Sequence, residues 1–222
     1  MTSRTGTAIL AAALWVSATG GVWAQPAGHH DEAGIRAALL TNRSVQHALK
    51  LDAAQAEKVA RLAKDVAAKG RAAAKEFGAL PEAERIEKMH GVMTATCKEA
   101  MGTLRGLLSA EQYKRYDQIV LQQRGIMAFA DPEIQEKLKL TREQKGRIHE
   151  LAKGLHGQML ELAHNASPGK IEELHEQGLV LHWKAIDQAV AVLGDDQQAT
   201  WKELIGDRFD VKLEDHPASN AR

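Results

Sequence analysis

An all-α fold is predicted for this chain by three observations. Apolar residues recur at intervals of three and four, the prolines stand at the edges of those periodic segments, and no run of β-branched and aromatic residues alternates in polarity. No Asn-Gly or Asp-Gly pair marks a β-hairpin in the chain after Ala24.

The elements follow in order. Residues 1–24 carry Arg4, an apolar run from Ala8 to Val16, and Val22-Trp23-Ala24 before Gln25, the layout of a cleavable secretory signal peptide. The expected mature chain is 25–222, exported to the periplasm, with secretion as the alternative. The apolar run falls short of the ~20 residues that span a bilayer, and no later stretch reaches that length, so no membrane span is expected. Residues 25–31 read as a flexible N-terminal tail and 32–49 as a first short helix. Val59, Leu62, Val66, Ala73 and Phe77 share one helical stripe with Gly70; Ile86, Met89, Met93, Cys97, Leu104 and Leu108 share the next. Together they predict a long αα-hairpin over 53–107, followed by a short helix near 110–123. Asp131-Pro132 pairs an N-cap residue with a proline suited to the first turn, which predicts a helix near 132–138. The stripes Ile148, Leu151, Leu155, Met159, Leu162 and Ile171, Leu174, Ile186, Ala189, Leu193 predict a second hairpin over 142–193, its second helix opened by Ser167-Pro168. A last helix is expected near 195–205 and a flexible C-terminal tail over 207–222. The Ala-rich stretch from Ala63 to Ala74 offers little area to bury. The expected architecture is therefore two tandem long αα-hairpins with short flanking helices, extended or cradle-like.

The chain also matches itself. An offset of 89 residues brings Val45 through Gln55 onto Ile134 through Gln144, and an offset of 85 brings Leu108-Ser109-Ala110-Glu111-Gln112 onto Leu193-Gly194-Asp195-Asp196-Gln197, with Tyr116 on Trp201. The two offsets differ by about one helical turn, a length change that a hairpin tip absorbs. A tandem duplication is read, with a first repeat over 32–125 and a second over 126–206. Each repeat begins and ends with a Leu-x-x-x-Gln element: Leu51-Asp52 with Gln55, Leu108-Ser109 with Gln112, Leu140-Thr141 with Gln144, and Leu193-Gly194 with Gln197. The physical content is a helix start, in which an N-cap side chain and a Gln three positions on satisfy free backbone N–H groups and the leucine packs back as a staple. A structural role is the simpler reading of these glutamines; direct ligand binding is the other.

Composition excludes several classes of function. Of 222 residues, 29 are Lys or Arg and 29 Asp or Glu, and aromatic residues make only 4%. Such a balance gives no electrostatic footprint for nucleic acid and no base-stacking platform. One cysteine excludes an intrachain disulfide.

The capping elements resemble the Leu-Thr-x-x-Gln motif of the Spy/CpxP family of periplasmic helical proteins, with Leu193 to Gln197 as a degenerate copy. Only Leu140-Thr141 keeps the threonine. The resemblance implies a thin helical cradle formed by dimerisation, here as a homodimer or as an intrachain pseudo-dimer of the two repeats. It also implies ATP-independent holding of unfolded or partly folded exported proteins, or envelope-stress and metal-responsive sensing. The family's chaperone cradles are basic, and the balanced charge here departs from them.

No enzyme is expected. Ser44, Ser109 and Ser167 stand at helix entries and Ser219 in the tail, and neither a Gly-rich phosphate loop nor a His-Glu-x-x-His pattern occurs. Cys97 reads as a structural thiol on an apolar stripe, with an intermolecular disulfide or redox use as the alternatives. The offset of 85 places His90 on His175 and Cys97 on His182, but seven residues are ~10.5 Å of helix, too far for one ion to take both donors of either pair. His149 and His156 share that spacing. A site would have to form across hairpins, for example from His90 and His182. His29-His30-Asp31-Glu32 could hold a divalent metal loosely, with a solvated tail as the simpler reading. The line Met89, Met93, Cys97, Met101 admits three readings: core packing, soft ligands for Cu(I), or an adaptable surface for apolar partners, the last of which predicts partial exposure. No metal or cofactor is assigned. Met89, Met93 and Met101 are the candidate client-binding residues. The leading expectation is a client-holding protein, the alternatives a metal-responsive sensor or buffer and a structural envelope protein without client.

Overall fold

The computed structural model describes residues 30–165 and 170–212. Residues 1–24, expected as a signal peptide, the side chains of the histidine-rich tail and the expected Ser167-Pro168 helix start lie outside the described residues. Among the described residues the fold is all-α: α1 (His30–Thr41), α2 (Arg43–Ala48), α3 (Ala53–Phe77), α4 (Glu82–Leu107), α5 (Ala110–Arg124), a 3-10 helix (Gly125–Ala130), α6 (Pro132–Lys137), α7 (Arg142–His164), α8 (Ile171–Val190) and α9 (Asp195–Ile205). None of these helices is long and apolar enough to cross a membrane.

The described chain divides into two compact units. A continuous unit comprises 124–207, and a split unit comprises 30–123 together with 208–212.

In the split unit α3 and α4 pack antiparallel, as Gln55 reaches the Leu107 carbonyl at one end and Lys69 pairs with Glu99 further along. Pro81 supplies the N-cap position of α4, with Glu82 and Glu84 favourably placed in its first turn. The core gathers at one end of this pair, where Leu39 and Leu40 of α1, Val45, Leu49, Val59, Leu104, Leu108, and Tyr116, Ile119 and Val120 of α5 form one buried cluster. Toward the α3–α4 turn the apolar cover thins. Val66 and Ala73 are buried there, but Ile86, expected on the packed stripe, is 55% exposed. The helix expected over 32–49 is broken at Asn42, whose extended backbone lets its side-chain oxygen accept from the N–H groups of Ser44 and Val45.

In the continuous unit α7 and α8 pack together, with Gln144 in the first turn of α7 reaching the Val192 carbonyl beyond the end of α8. Ile148, Ala152, Leu155 and Met159 of α7 and Trp183, Ala185, Ile186 and Ala189 of α8 are buried. Phe129 stacks on Trp201 with ring centroids 4.2 Å apart. The helix expected to stop near 123 ends at Arg124 because Gly125 takes φ +56°, a region that glycine enters without a Cβ penalty. His182 explains the choice further: a Cβ on Gly125 would lie 2.5 Å from its Cε1.

Residues 208–212, expected as part of a flexible tail, instead pack on the split unit. Phe209 and Val211 lie against its apolar cluster, and Asn42 donates to the Lys212 carbonyl.

Candidate functional site

The capping elements are built from both sides. At the end of α2 the N–H of Lys50 donates to the His47 carbonyl and that of Leu51 to the Gln46 carbonyl, the bond pattern of a Schellman turn, with Lys50 at φ 52° in the position glycine usually fills. The end of α6 repeats this through Lys139 at φ 50° and Leu140. Each leucine therefore closes one helix before the next begins.

The following residue caps. Asp52 Oδ1 accepts from the Gln55 N–H at 2.7 Å and Gln55 Oε1 accepts from the Asp52 N–H at 3.2 Å. Ser109 with Gln112 and Thr141 with Gln144 form the same reciprocal pair. Gly194 has no side chain to offer, so only the bond from its N–H to Gln197 Oε1, at 2.9 Å, forms. Leu108, Leu140 and Leu193 are buried and Leu51 is half-buried.

The glutamines then meet in pairs. Gln55 Nε2 donates to the Leu107 carbonyl and to Gln112 Oε1, both at 3.0 Å; Gln112 Nε2 donates to the Leu49 carbonyl and back to Gln55 Oε1, both at 3.1 Å. In the continuous unit Gln144 donates to the Val192 carbonyl and to Gln197 Oε1, while Gln197 donates to the Leu138 carbonyl and to Gln144 Oε1. Both amide hydrogens of each glutamine are used, and each Oε1 accepts twice. Such amides have little capacity left for a ligand. They hold the start of one helix against the end of another, which fixes the root of each long helix pair.

The methionine face lies on α4. Met89, Met93, Cys97 and Met101 are all half-buried. Met93 lies over Gly70 of α3, and Met101 packs against the core cluster, so two of the three candidate client-binding residues already serve internal packing. Met89 and the exposed Ile86 carry the outward apolar surface. Beside Met101 stands an ion pair: Arg36 Nη1 lies 4.0 Å from its Sδ and 2.7 Å from Asp117 Oδ1, and the Arg36 carbonyl accepts from the Tyr116 hydroxyl at 2.8 Å. Burial pushes the Cys97 thiol above its ordinary pKa, only partly opposed by Arg36, and a protonated thiol is a poor ligand and nucleophile.

The histidines do not assemble a metal centre among the described residues, which contain no group of three or more His, Cys, Asp or Glu that could hold an ion. His90 lies 3.1 Å from the Thr94 hydroxyl in the split unit. His182 is buried in the continuous unit, its ring edge-on to Trp183. His149, His156 and His175 are half-buried.

Sequence reasoning missed three residues of functional interest. Asn42, Gln122 and Phe209 join the segment 208–212 to the split unit, and only the Phe-x-Val spacing at Phe209 and Val211 signals it. No protein-family model matches the chain, and no curated protein or solved structure matches it.

Proposed function

We propose that the chain is an exported, periplasmic helical binding protein, similar to Spy/CpxP proteins, that holds unfolded or partly folded clients without ATP. The observation that carries this reading is the outward face of α4, where Ile86 is 55% exposed beside half-buried Met89 on a helix pair rooted by locked glutamines. Flexible, polarizable methionines accept apolar partners of varied shape, and a rigid root keeps that face from collapsing on itself. The balanced charge, 29 basic against 29 acidic residues, makes capture short-range and apolar rather than steered by charge.

The test is light scattering of a thermally unfolding client with the full chain in several-fold excess. Suppression is expected, and the Ile86→Ser/Met89→Ser double variant should lose most of it. No suppression by the wild-type chain overturns the reading.

A further inference from the structure

Residues 208–212 occupy the split unit in the manner of a bound peptide. The segment runs outside any helix and alternates: Phe209 and Val211 pack on the apolar cluster, while Arg208, Asp210 and Lys212 are exposed. Arg208 Nε donates to Asp210 Oδ1 at 3.2 Å within the segment, and the side chains of Asn42, Ser44 and Gln122 bond to its backbone groups. Gln122 Oε1 accepts from the Phe209 N–H at 2.8 Å, Asn42 Nδ2 donates to the Lys212 carbonyl at 3.0 Å, and Ser44 Oγ accepts from the Lys212 N–H at 3.3 Å. The Arg115 guanidinium stands 5.9 Å from the Phe209 ring centroid.

Three features make this seat a built site. Asn42 and Gln122 are 2% and 0% exposed, so the polar atoms they aim at the segment lie out of water and call for a backbone partner. Backbone bonds read no side chain, so any extended segment satisfies them. The two apolar contacts, spaced by two residues, demand only an apolar-x-apolar pattern, which an unfolded polypeptide presents frequently.

We propose that the seat formed by Asn42, Ser44, Arg115 and Gln122 is a binding site for extended apolar-x-apolar peptide segments, and that residues 208–212 are its tethered, displaceable occupant. The inference rests on the client-holding reading for the source of the ligand. Tethering gives the resident segment a high effective concentration, so an incoming segment competes poorly until the resident one is loosened.

The probe is a fluorescein-labelled peptide of residues 206–213, titrated by fluorescence polarisation against the full chain and against its Phe209→Ala/Val211→Ala variant. A control peptide carries Ser in place of both Phe and Val. The variant should bind the probe at least tenfold more tightly than the wild type, and the control at least tenfold more weakly than the probe. Equal binding by variant and wild type, or equal binding of probe and control, overturns the proposal. If circular dichroism shows the double variant unfolded, the single Val211→Ala chain should show the same gain, reduced in size. If neither variant folds, the segment cannot be displaced and the proposal falls. Aggregation suppression in the same samples separates the two ideas: peptide binding without suppression removes client holding and leaves the site, and suppression without peptide binding does the reverse.

Discussion

The split and continuous units carry closely matching hydrogen bonds at their helix roots and differ in the aromatic side chains those roots enclose. At the offset of 89, the bond from Gln46 to the Leu40 carbonyl recurs from Gln135 to the Phe129 carbonyl, and the left-handed Lys50 recurs as Lys139. The bond from Gln55 to the Leu107 carbonyl recurs from Gln144 to the Val192 carbonyl, the donor at the offset of 89 and the acceptor at 85. Yet one root encloses Tyr116, which donates to the Arg36 carbonyl, and the other encloses Trp201, which stacks on Phe129. One long helix pair leaves Ile86 outside; the other leaves Leu160 and Val180 outside and buries Met159 and Trp183. The lesson is that bonds made by backbone and amide groups fix where helices meet, while the faces between the roots are free to specialise.

The largest test of that contrast is Trp201→Ala. Losing a buried, stacked indole should cost ~3–5 kcal/mol in denaturant unfolding, with faster hydrogen exchange over 124–207. Tyr116→Phe at the matching position keeps the ring and loses one hydrogen bond, so ~1 kcal/mol is expected. Similar losses from both would break the distinction between the two cores.

Next in size come the shared bonds. Gln55→Ala and Gln144→Ala each strip their partner glutamine and a backbone carbonyl of a donor, and each should cost ~1–3 kcal/mol. Equal losses sharpen the view that the roots are equivalent; a loss from only one sinks it.

The first caps respond differently to acid. Asp131 corresponds to Asn42, and burial alone would raise its carboxyl, but the Arg124 guanidinium at 2.9 Å and the N–H groups of Glu133 and Ile134 outweigh this and hold its pKa below the ordinary value. A depressed pKa means the contribution is intact above the ordinary Asp range near ~3.9 and fades as pH falls through the lower folded value. Thermal melts should show an acid loss of ~1 kcal/mol that Asp131→Asn abolishes, with no such term from Asn42. Acid sensitivity unchanged in Asp131→Asn removes this assignment. Smallest is Gly194→Ser, which supplies the missing half of the fourth cap and should gain a few tenths of a kcal/mol by chemical denaturation.

Much of this was legible because it is local. Asp52, Ser109 and Thr141 announce themselves as caps through a glutamine three residues on, and period alone places the long helices. The repeat match put the four glutamines at corresponding positions, but their meeting in pairs depends on partners more than fifty residues away. The break at Asn42 was hidden within a continuous apolar period. His182, weighed as a metal ligand, is buried against Gly125, a contact set by a left-handed glycine rather than by any spacing of donors. Residues 208–212 read as tail because five residues outside any helix have no helical period.

That last segment bears on how the chain comes to be folded. Asn42 and Lys212 are 170 positions apart, so the split unit completes its contacts only after the whole continuous unit has been made and carried past it. Loop closure over such a separation costs entropy that short-range helix pairing does not, and it delays a rate rather than lowering an equilibrium. During synthesis the continuous unit, compact in itself over 124–207, can reach its final packing while its neighbour in the sequence waits. The later segment sets the clock for the partners that precede it by some 170 positions.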